Sequence, residues 1–355
     1  MQPLWWLGLV MTVVLYSMRL RKERKEFRIA VNKDFYEGRH FIKKGFVFFI
    51  LGSLLLCGLG VMLPPKLIFI YEISALIALL VSVFFEGSLI ALLVVLVYQL
   101  TLEKSDVNLL SSIFVLFFMF FSLRLLFLRK VDIAWFTPRI KQGKRGRRIA
   151  YYLWREFSVF PILILIPGDM FRNVFSFWPV FSFNGYTFSL CLIPFLIGIN
   201  CKALKQTIQA VLNFHKKQTK NLVLYSLISI FLSYFNAKLG VILSVGLVLI
   251  LIWQHYKHHL FEQQANSWYV ETNDGVRIIA VQSNTPAAKM KLTAGDVILT
   301  CNGQKVTSES ELYEALQLNS AYCIFKVRNF AGELKMAQGA IYADAPHELG
   351  LILFH

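Results

Sequence analysis

Long apolar runs separated by short basic segments dominate the first 254 residues of the chain. Most of these runs approach the roughly 20 residues that an α-helix needs to cross the hydrocarbon of a bilayer. The pattern therefore predicts an α-helical polytopic membrane bundle of about seven to nine spans. The nine candidate spans are 3–18, 45–63, 67–85, 87–102, 109–128, 157–170, 186–199, 222–235 and 239–253.

Prolines interrupt the sixth and seventh of these runs, at Pro161, Pro167 and Pro194. A helix loses a hydrogen bond and gains a clash at an internal proline. The pair is therefore expected either to cross as two spans or to form a broken, re-entrant segment. Neither choice changes the side of the membrane that the later runs face.

The basic residues are distributed unevenly between alternate loops. Ten Lys and Arg residues lie in 19–44, nine in 129–155 and five in 201–220, whereas the intervening loops contribute four. Because cytoplasmic loops carry the excess of basic residues, this count predicts an N-terminus outside the cell membrane and a cytoplasmic C-terminus.

Composition agrees with this placement. The chain is 56% hydrophobic and 16% charged, and its mean hydropathy is +0.56, which is too apolar for a soluble domain of 355 residues. The net charge of +16 comes from basic loops beside apolar runs, which favours contacts with anionic lipid headgroups over nucleic acid. The five cysteines contain no CxxC pair, so we expect reduced thiols.

A soluble domain is predicted after the last apolar run. The sequence divides into a transmembrane region (1–254), a juxtamembrane linker (255–267) and a small α+β domain (268–355). Short strands alternate there with turns, and a helix is expected over 308–318. Pro286 is expected to start a short helix, Gly295 and Gly303 to take positive φ, and Asp296 to cap backbone amides.

The segment TPAAKMKLTAGDVILTCNGQKVTSESELYEAL, residues 285–316, resembles the PDZ signature, with Met290 where a glycine is usual. The resemblance implies a peptide-binding module that adds the partner's C-terminus to a sheet edge. It places Glu309, Leu312, Tyr313 and Leu316 on the pocket helix, although Leu312 and Leu316 also suit simple core packing. The loop that captures the carboxylate is expected at Leu349, Gly350, Leu351 and Ile352, with 268–270 as the rival position and a plain closing strand as the alternative.

The sequence contains no recognisable catalytic motif. It contains no H-E-x-x-H helix, and its seven histidines lie outside the candidate spans, so neither a zinc protease nor a Ser-His pair at membrane depth is predicted. Asp169 is the acidic residue that an intramembrane protease would use, and Glu72 is the one that a transporter or sensor would use. Both functions stay open as alternatives. The chain is therefore predicted to be no enzyme and to need no metal or cofactor.

A multi-spanning region joined to a PDZ-like domain resembles the architecture of the MinJ family of Gram-positive bacteria. The resemblance implies a membrane scaffold for placing the division site, enriched at septum and poles, which bridges DivIVA-like and MinD-like proteins. The PDZ-like domain and the basic loops would be the docking surfaces. Self-association is left open by the sequence.

Overall fold

Helices form most of the N-terminal region (residues 3–264) in the computed structural model, which describes residues 3–81, 87–102, 107–129, 131–143, 146–168, 178–183, 185–264, 269–319, 322–340 and 349–354. The helices are α1 (Pro3–Phe27), α2 (Tyr36–Gly58), α3 (Pro65–Val81), α4 (Gly87–Leu102), α5 (Val107–Arg129), α6 (Ile208–Phe235) and α7 (Ala237–Gln263). Three of them, over Tyr36–Gly58, Asn108–Arg129 and Ala237–Gln263, are long and apolar enough to cross a membrane, and Gly87–Thr101 is a shorter apolar helix. These lengths do not confirm the predicted count of seven to nine spans.

Seven of the nine predicted runs fall on these helices. The sixth and seventh do not, and the expectation of a purely helical bundle is wrong for them. They belong to a four-stranded antiparallel sheet of β1 (Thr137–Gln142), β2 (Arg148–Pro167), β3 (Val180–Phe183) and β4 (Tyr186–Ala203), in the order β1-β2-β4-β3. A strand that is buried on both faces shows the same unbroken apolar run as a buried helix, so periodicity could not separate the two.

The two long strands tolerate their prolines because of where these residues lie in the ladder. Pro161 lies directly opposite Pro194 in the β2–β4 ladder. The backbone amides at the neighbouring outward positions, Leu163 and Leu196, donate to helix side chains rather than across the ladder. Amides that point away from the partner strand recur at every second residue, and Pro161 and Pro194 both fall on this series. The ladder therefore loses no hydrogen bond where the two prolines lack an N–H.

Side chains from the surrounding helices satisfy the outer edges of this β2–β4 ribbon. Ser53 on α2 accepts the Leu163 amide at 3.0 Å, and Ser88 on α4 accepts the Leu196 amide at 2.6 Å. The hydroxyl of Tyr71 on α3 donates to the Pro194 carbonyl at 3.0 Å. Buried backbone groups without partners are costly, so these side chains allow a strand pair to lie inside an apolar helical region.

A buried carboxylate lies in the N-terminal half of β2 and anchors it to a neighbouring helix. Glu156, whose side chain is 1% exposed, lies 2.8 Å from His40 Nδ1 and 3.4 Å from Lys44 Nζ. The indole of Trp154 donates to its second oxygen at 3.2 Å. These contacts supply the partners that a buried charge needs and connect β2 to α2.

The C-terminal domain (residues 269–354) contains short strands around two helices. Its elements are β5 (Val276–Arg277), β6 (Ala280–Val281), α8 (Pro286–Lys289), β7 (Val297–Cys301), β8 (Gln304–Lys305), α9 (Glu309–Gln317), β9 (Tyr322–Arg328), β10 (Leu334–Ala340) and β11 (Leu351–Ile352). One sheet has the order β10-β9-β7-β5 with β8 beside β7, and β11 pairs with β6 in a separate two-stranded sheet.

The turn chemistry of this domain follows its sequence. Pro286 is the first residue of α8, Gly295 has φ +99° and Gly303 has φ +86°, as predicted. Asp296, which is 1% exposed, accepts the Thr293 amide at 3.0 Å, which confirms the expected cap. The Lys335 ammonium also donates to Asp296, at 2.8 Å, so the buried carboxylate is paired.

Candidate functional site

Strand β11 has one edge in the sheet and one edge turned away from it. The Gln282 amide donates to the Gly350 carbonyl at 2.9 Å, and the Ile279 amide donates to the Ile352 carbonyl at 2.7 Å. Since backbone groups alternate along an antiparallel strand, the N–H and C=O of Leu351 point to the opposite edge. Among the described residues, no strand other than β6 pairs with β11.

The turn before β11 depends on a glycine. Gly350 has φ +78°, and a Cβ at this position would collide with the Thr285 side chain. The Ala287 amide donates to the Leu349 carbonyl at 3.1 Å, which ties the turn to the start of α8. The backbone at 349–350 is therefore held in one conformation by α8 on one side and β6 on the other.

Helix α9 shares a hydrophobic core with this segment. Its N-cap Ser308 accepts the Glu311 amide at 3.3 Å, and Glu311 accepts the Thr307 amide at 2.7 Å, so the helix begins with a reciprocal cap. Leu312 is buried in the same cluster as Leu353. Leu316, Leu349 and Leu351 are partly buried and pack against that cluster.

The predicted pocket residues thus divide into two groups. Leu312 is 1% exposed and belongs to the core, which leaves it little surface for a ligand. Tyr313 is 46% exposed on the outer face of α9, and Glu309 is half-buried in its first turn. The structure brings Leu316 together with the Leu349–Leu351 segment around one cluster, while Tyr313 is exposed and Glu309 lines a separate cavity.

Strand β11 and the two residues after it connect two cores. Leu353 lies in the core of the C-terminal domain, whereas Ile352 and Phe354 lie in the core of the N-terminal region. A cavity of about 380 Å³ adjoins Phe354 and the first turn of α9, and its far wall includes Arg148 of β2. The N-terminal region therefore contributes directly to the surroundings of the candidate site.

Residues 269–271 join the C-terminal domain to the sheet of the N-terminal region. The Ala150 amide donates to the Tyr269 carbonyl at 2.8 Å, and the Glu271 amide donates to the Arg148 carbonyl at 3.0 Å. The rival position for the carboxylate loop, 268–270, therefore has backbone groups that are already paired with β2. Trp268 itself lies outside the described residues.

Side chains across this junction were not singled out from the sequence. The Arg148 guanidinium donates to Glu271 through Nε at 3.1 Å and Nη2 at 2.5 Å. This hydrogen bond holds the pKa of the Glu271 carboxyl below its usual value. The buried Tyr152 hydroxyl donates to the Ile279 carbonyl at 2.6 Å, and the Gln282 amide group donates to the Ala30 carbonyl at 2.7 Å.

Residues considered for catalysis do not form a shared site among the described residues. Glu72 is partly buried on α3, and Asp169 lies outside the described residues. In the described part of the chain, no group of three or more His, Cys, Asp or Glu side chains could hold a metal ion. The five cysteines are free thiols.

Comparison with known families identifies the C-terminal module. The PDZ domain model matches residues 263–322. The whole chain is also 24% identical over 368 aligned residues to the cell division topological determinant MinJ of Bacillus subtilis (strain 168), which covers 99% of this chain and 92% of that protein. The chain is therefore similar to MinJ along nearly its whole length. Its relatives are named as cell division topological determinants rather than as enzymes.

A second MinJ relative is more similar over a shorter stretch. The probable cell division topological determinant MinJ of Lacticaseibacillus paracasei is 30% identical over 232 residues, which are 61% of this chain and 58% of that protein. Among solved structures, the PDZ domain of an SdrC-like protein from Listeria monocytogenes is 23% identical, with a TM-score of 0.20, over 23% of this chain and 90% of that one.

Proposed function

We propose that this chain is a non-enzymatic membrane scaffold that recruits protein partners through its PDZ domain and thereby helps to place the division site. The match to MinJ over nearly the whole chain supports the division role, and the PDZ domain supports protein partners. The observation that carries the mechanism is the outward edge of β11 beside α9.

The outward edge of β11 determines how a partner docks in this proposal. An extended partner C-terminus adds antiparallel to β11, where the backbone of Leu351 offers an N–H and a C=O. The turn at Leu349 and Gly350 receives the terminal carboxylate, and Ile352 continues the strand. Since main-chain hydrogen bonds supply most of this contact, the side chains of the pocket helix decide which partner fits.

The roles on α9 follow from burial. Leu316 lines the floor of the groove for the last apolar side chain of the partner, and Leu312 supports it from the core. Tyr313 and Glu309 contact upstream residues of the partner, because Tyr313 is exposed and Glu309 is only half-buried. Truncating Leu312 therefore acts through stability, whereas truncating Tyr313 acts through binding.

The N-terminal region is the membrane anchor in this proposal. Large apolar side chains point outward from its helices, such as Phe46 at 65% exposed and Leu54 at 68% on α2, and Ile242 at 65% on α7. Exposed apolar faces of this size suit lipid. The N-terminus lies outside and the PDZ domain is cytoplasmic, with 1–254 as the membrane region, 255–267 as the juxtamembrane segment and 268–355 as the PDZ domain.

The partners in this proposal are division proteins of the DivIVA-like and MinD-like kinds, which the scaffold bridges at septum and poles. The basic segments 19–44 and 129–155 form a second docking surface and contact anionic lipids. Two surfaces on one membrane protein allow two partners to be held together, which is the physical requirement of a bridge.

The test compares two glycine variants of the full chain in cross-linking pull-downs from membranes. Gly350→Ala places a Cβ against Thr285 and distorts the carboxylate loop, whereas Gly332→Ala has a similar positive φ, +88°, with open space around it. We expect Gly350→Ala to lose at least tenfold of the captured division proteins and Gly332→Ala to retain them.

A second pair of variants, at exposed positions, separates a loss of binding from misfolding. Tyr313→Ala changes the exposed face of α9, and Glu314→Ala changes its exposed neighbour. Loss of capture for Tyr313→Ala alone supports the groove. If all four variants capture the same proteins as the unmodified chain, the groove is not the recruiting surface and the proposal fails.

A further inference from the structure

A small cavity lies where α1 leaves its apolar part and meets the start of α2 and the β1–β2 hairpin. Its volume is about 60 Å³, and four cationic side chains line it: Arg19, Lys22, Arg139 and Arg155. Leu15 and Met18, from the last apolar turns of α1, complete one side of the wall. Its cationic residues belong to the basic segments 19–44 and 129–155, so this inference rests on the anionic-lipid contact proposed above and gives that contact a site.

The register of the sheet explains why two arginines meet here. Arg139 lies opposite Tyr151, and Thr137 lies opposite Leu153. Side chains two apart along a strand share a face, so Arg139 of β1 and Arg155 of β2 project from the same side of the sheet. Arg139 is only 6% exposed. Burial is the main cause that lowers the pKa of the Arg155 guanidinium, Tyr151 opposes it, and the Arg139 charge lowers it further.

Three carboxylates lie close to two of these cations. Arg19 pairs with Glu37 at 2.7 Å and lies 3.5 Å from Glu23, and Arg139 lies 3.3 Å from Glu26. Of these carboxylates, Glu37 lines the cavity, so the lining holds four cationic side chains and one carboxylate, and Lys22 is its exposed member. An anion placed there would remove the excess charge at the point where two guanidinium groups repel each other.

We propose that this cavity binds a phosphate group, supplied by the headgroup of an anionic phospholipid. A volume of about 60 Å³ exceeds the roughly 10–15 Å³ that one water needs on the same measure, so one tetrahedral oxyanion fits. Arginine forks match phosphate oxygens, and a cationic pocket at the end of an apolar helix suits a headgroup whose acyl chains lie along that helix. Leu15 and Met18 provide this apolar continuation.

The test uses the purified full chain in nanodiscs of phosphatidylcholine with and without phosphatidylglycerol, and native mass spectrometry counts the retained lipids. The variant Arg139→Gln with Arg155→Gln removes two charges inside the cavity. The control Arg24→Gln with Lys25→Gln removes two charges from exposed positions of α1 that do not line the cavity. We expect the cavity variant to retain at least tenfold less phosphatidylglycerol than the control.

Because the buried Arg139 could be needed for folding, Lys22→Gln is compared with Lys25→Gln, since both change exposed lysines on α1. A loss for Lys22→Gln alone supports the cavity. In a second arm, inorganic phosphate is added: retention that persists identifies a lipid ligand, whereas displacement at millimolar phosphate identifies a soluble phosphate ligand of the same site. Equal retention in the cavity and control variants would overturn the proposal.

Discussion

Arg148 and Glu271 face each other across the junction between the sheet of the N-terminal region and the PDZ domain, with Arg148 Nε 3.1 Å from Glu271 Oε2. The same two residues are joined through their backbones, because the Glu271 amide donates to the Arg148 carbonyl at 3.0 Å. The two domains are therefore joined at this point by both side chains and backbone. Variants of either residue should weaken the docking of the PDZ domain onto the N-terminal region without changing the hydrophobic core of either one.

The ion pair should be separable from the backbone contact by charge reversal. Glu271→Arg places two cations together, and we expect it to weaken docking by about 1 kcal/mol, roughly fivefold, because such partly exposed pairs contribute little. Adding Arg148→Glu should restore part of the loss. Hydrogen exchange of the Ala150 amide, which bonds to Tyr269, measures docking.

The Arg328–Asp274 pair provides the control for this exchange measurement. It lies within the PDZ domain, with a separation of 3.5 Å and an Asp274 side chain that is 72% exposed. Reversing Arg328 should leave the exchange of Ala150 unchanged. Equal effects of the two reversals on Ala150 would contradict a specific role for Arg148 and Glu271.

Acid should loosen the junction through Glu271. The Arg148 hydrogen bond lowers the pKa of Glu271 below its ordinary value of 4.5 in the docked state. The docked state therefore binds fewer protons, so its stabilisation is complete above about pH 5 and is lost as the pH falls through the lowered pKa. Protection of Ala150, corrected for intrinsic exchange, should fall in this window, and Glu271→Gln should remove the pH dependence. A profile that is unchanged in Glu271→Gln would assign the effect to another group.

Tyr152 should stabilise the junction through its hydroxyl. Its hydroxyl donates to the Ile279 carbonyl at 2.6 Å, and the ring is 1% exposed. Tyr152→Phe keeps the ring but leaves a buried carbonyl without this donor, at a cost of about 1–3 kcal/mol. Tyr151→Phe, one position along β2, is the matched control. Chemical denaturation monitored at the junction should distinguish them, and equal midpoints would argue against the hydroxyl.

Ser88 should be needed to keep the β2–β4 ribbon among the helices. It is 0% exposed, accepts the Leu196 amide at 2.6 Å and lies 2.7 Å from the Tyr71 hydroxyl. Ser88→Ala should destabilise the N-terminal region by about 1–3 kcal/mol, because a strand amide loses its acceptor.

Ser74→Ala is the control for Ser88, because the Ser74 hydroxyl donates to the Ile70 carbonyl of its own helix at 2.7 Å. Thermal unfolding of the purified chain in detergent, with both variants side by side, checks the difference. If Ser74→Ala lowers the unfolding temperature as much as Ser88→Ala, the hydrogen bond from the Leu196 amide to Ser88 stabilises the protein no more than a hydrogen bond within one helix.

The parts of this protein that the sequence determined are those with local causes. Apolar runs of helical length predicted α1 to α7. Gly295 and Gly303 take positive φ because they lack a Cβ, and Pro286 begins α8 because its ring fixes φ. The PDZ pattern was readable because strands, turns and a helix follow one another in a fixed spacing. Each of these signals lies within a few residues of the feature that it predicts.

The tertiary structure decided what depends on distant partners. The runs at 157–167 and 186–199 are strands because they pair with each other and because Ser53, Tyr71 and Ser88 on other helices satisfy their edges. The basic segment around Arg148 was interpreted as a topology signal, yet Arg148 contacts the PDZ domain through Glu271, 123 residues away. The physical reason is that an apolar run or a basic residue has the same local preferences whichever partner it meets, so only the folded chain selects the partner.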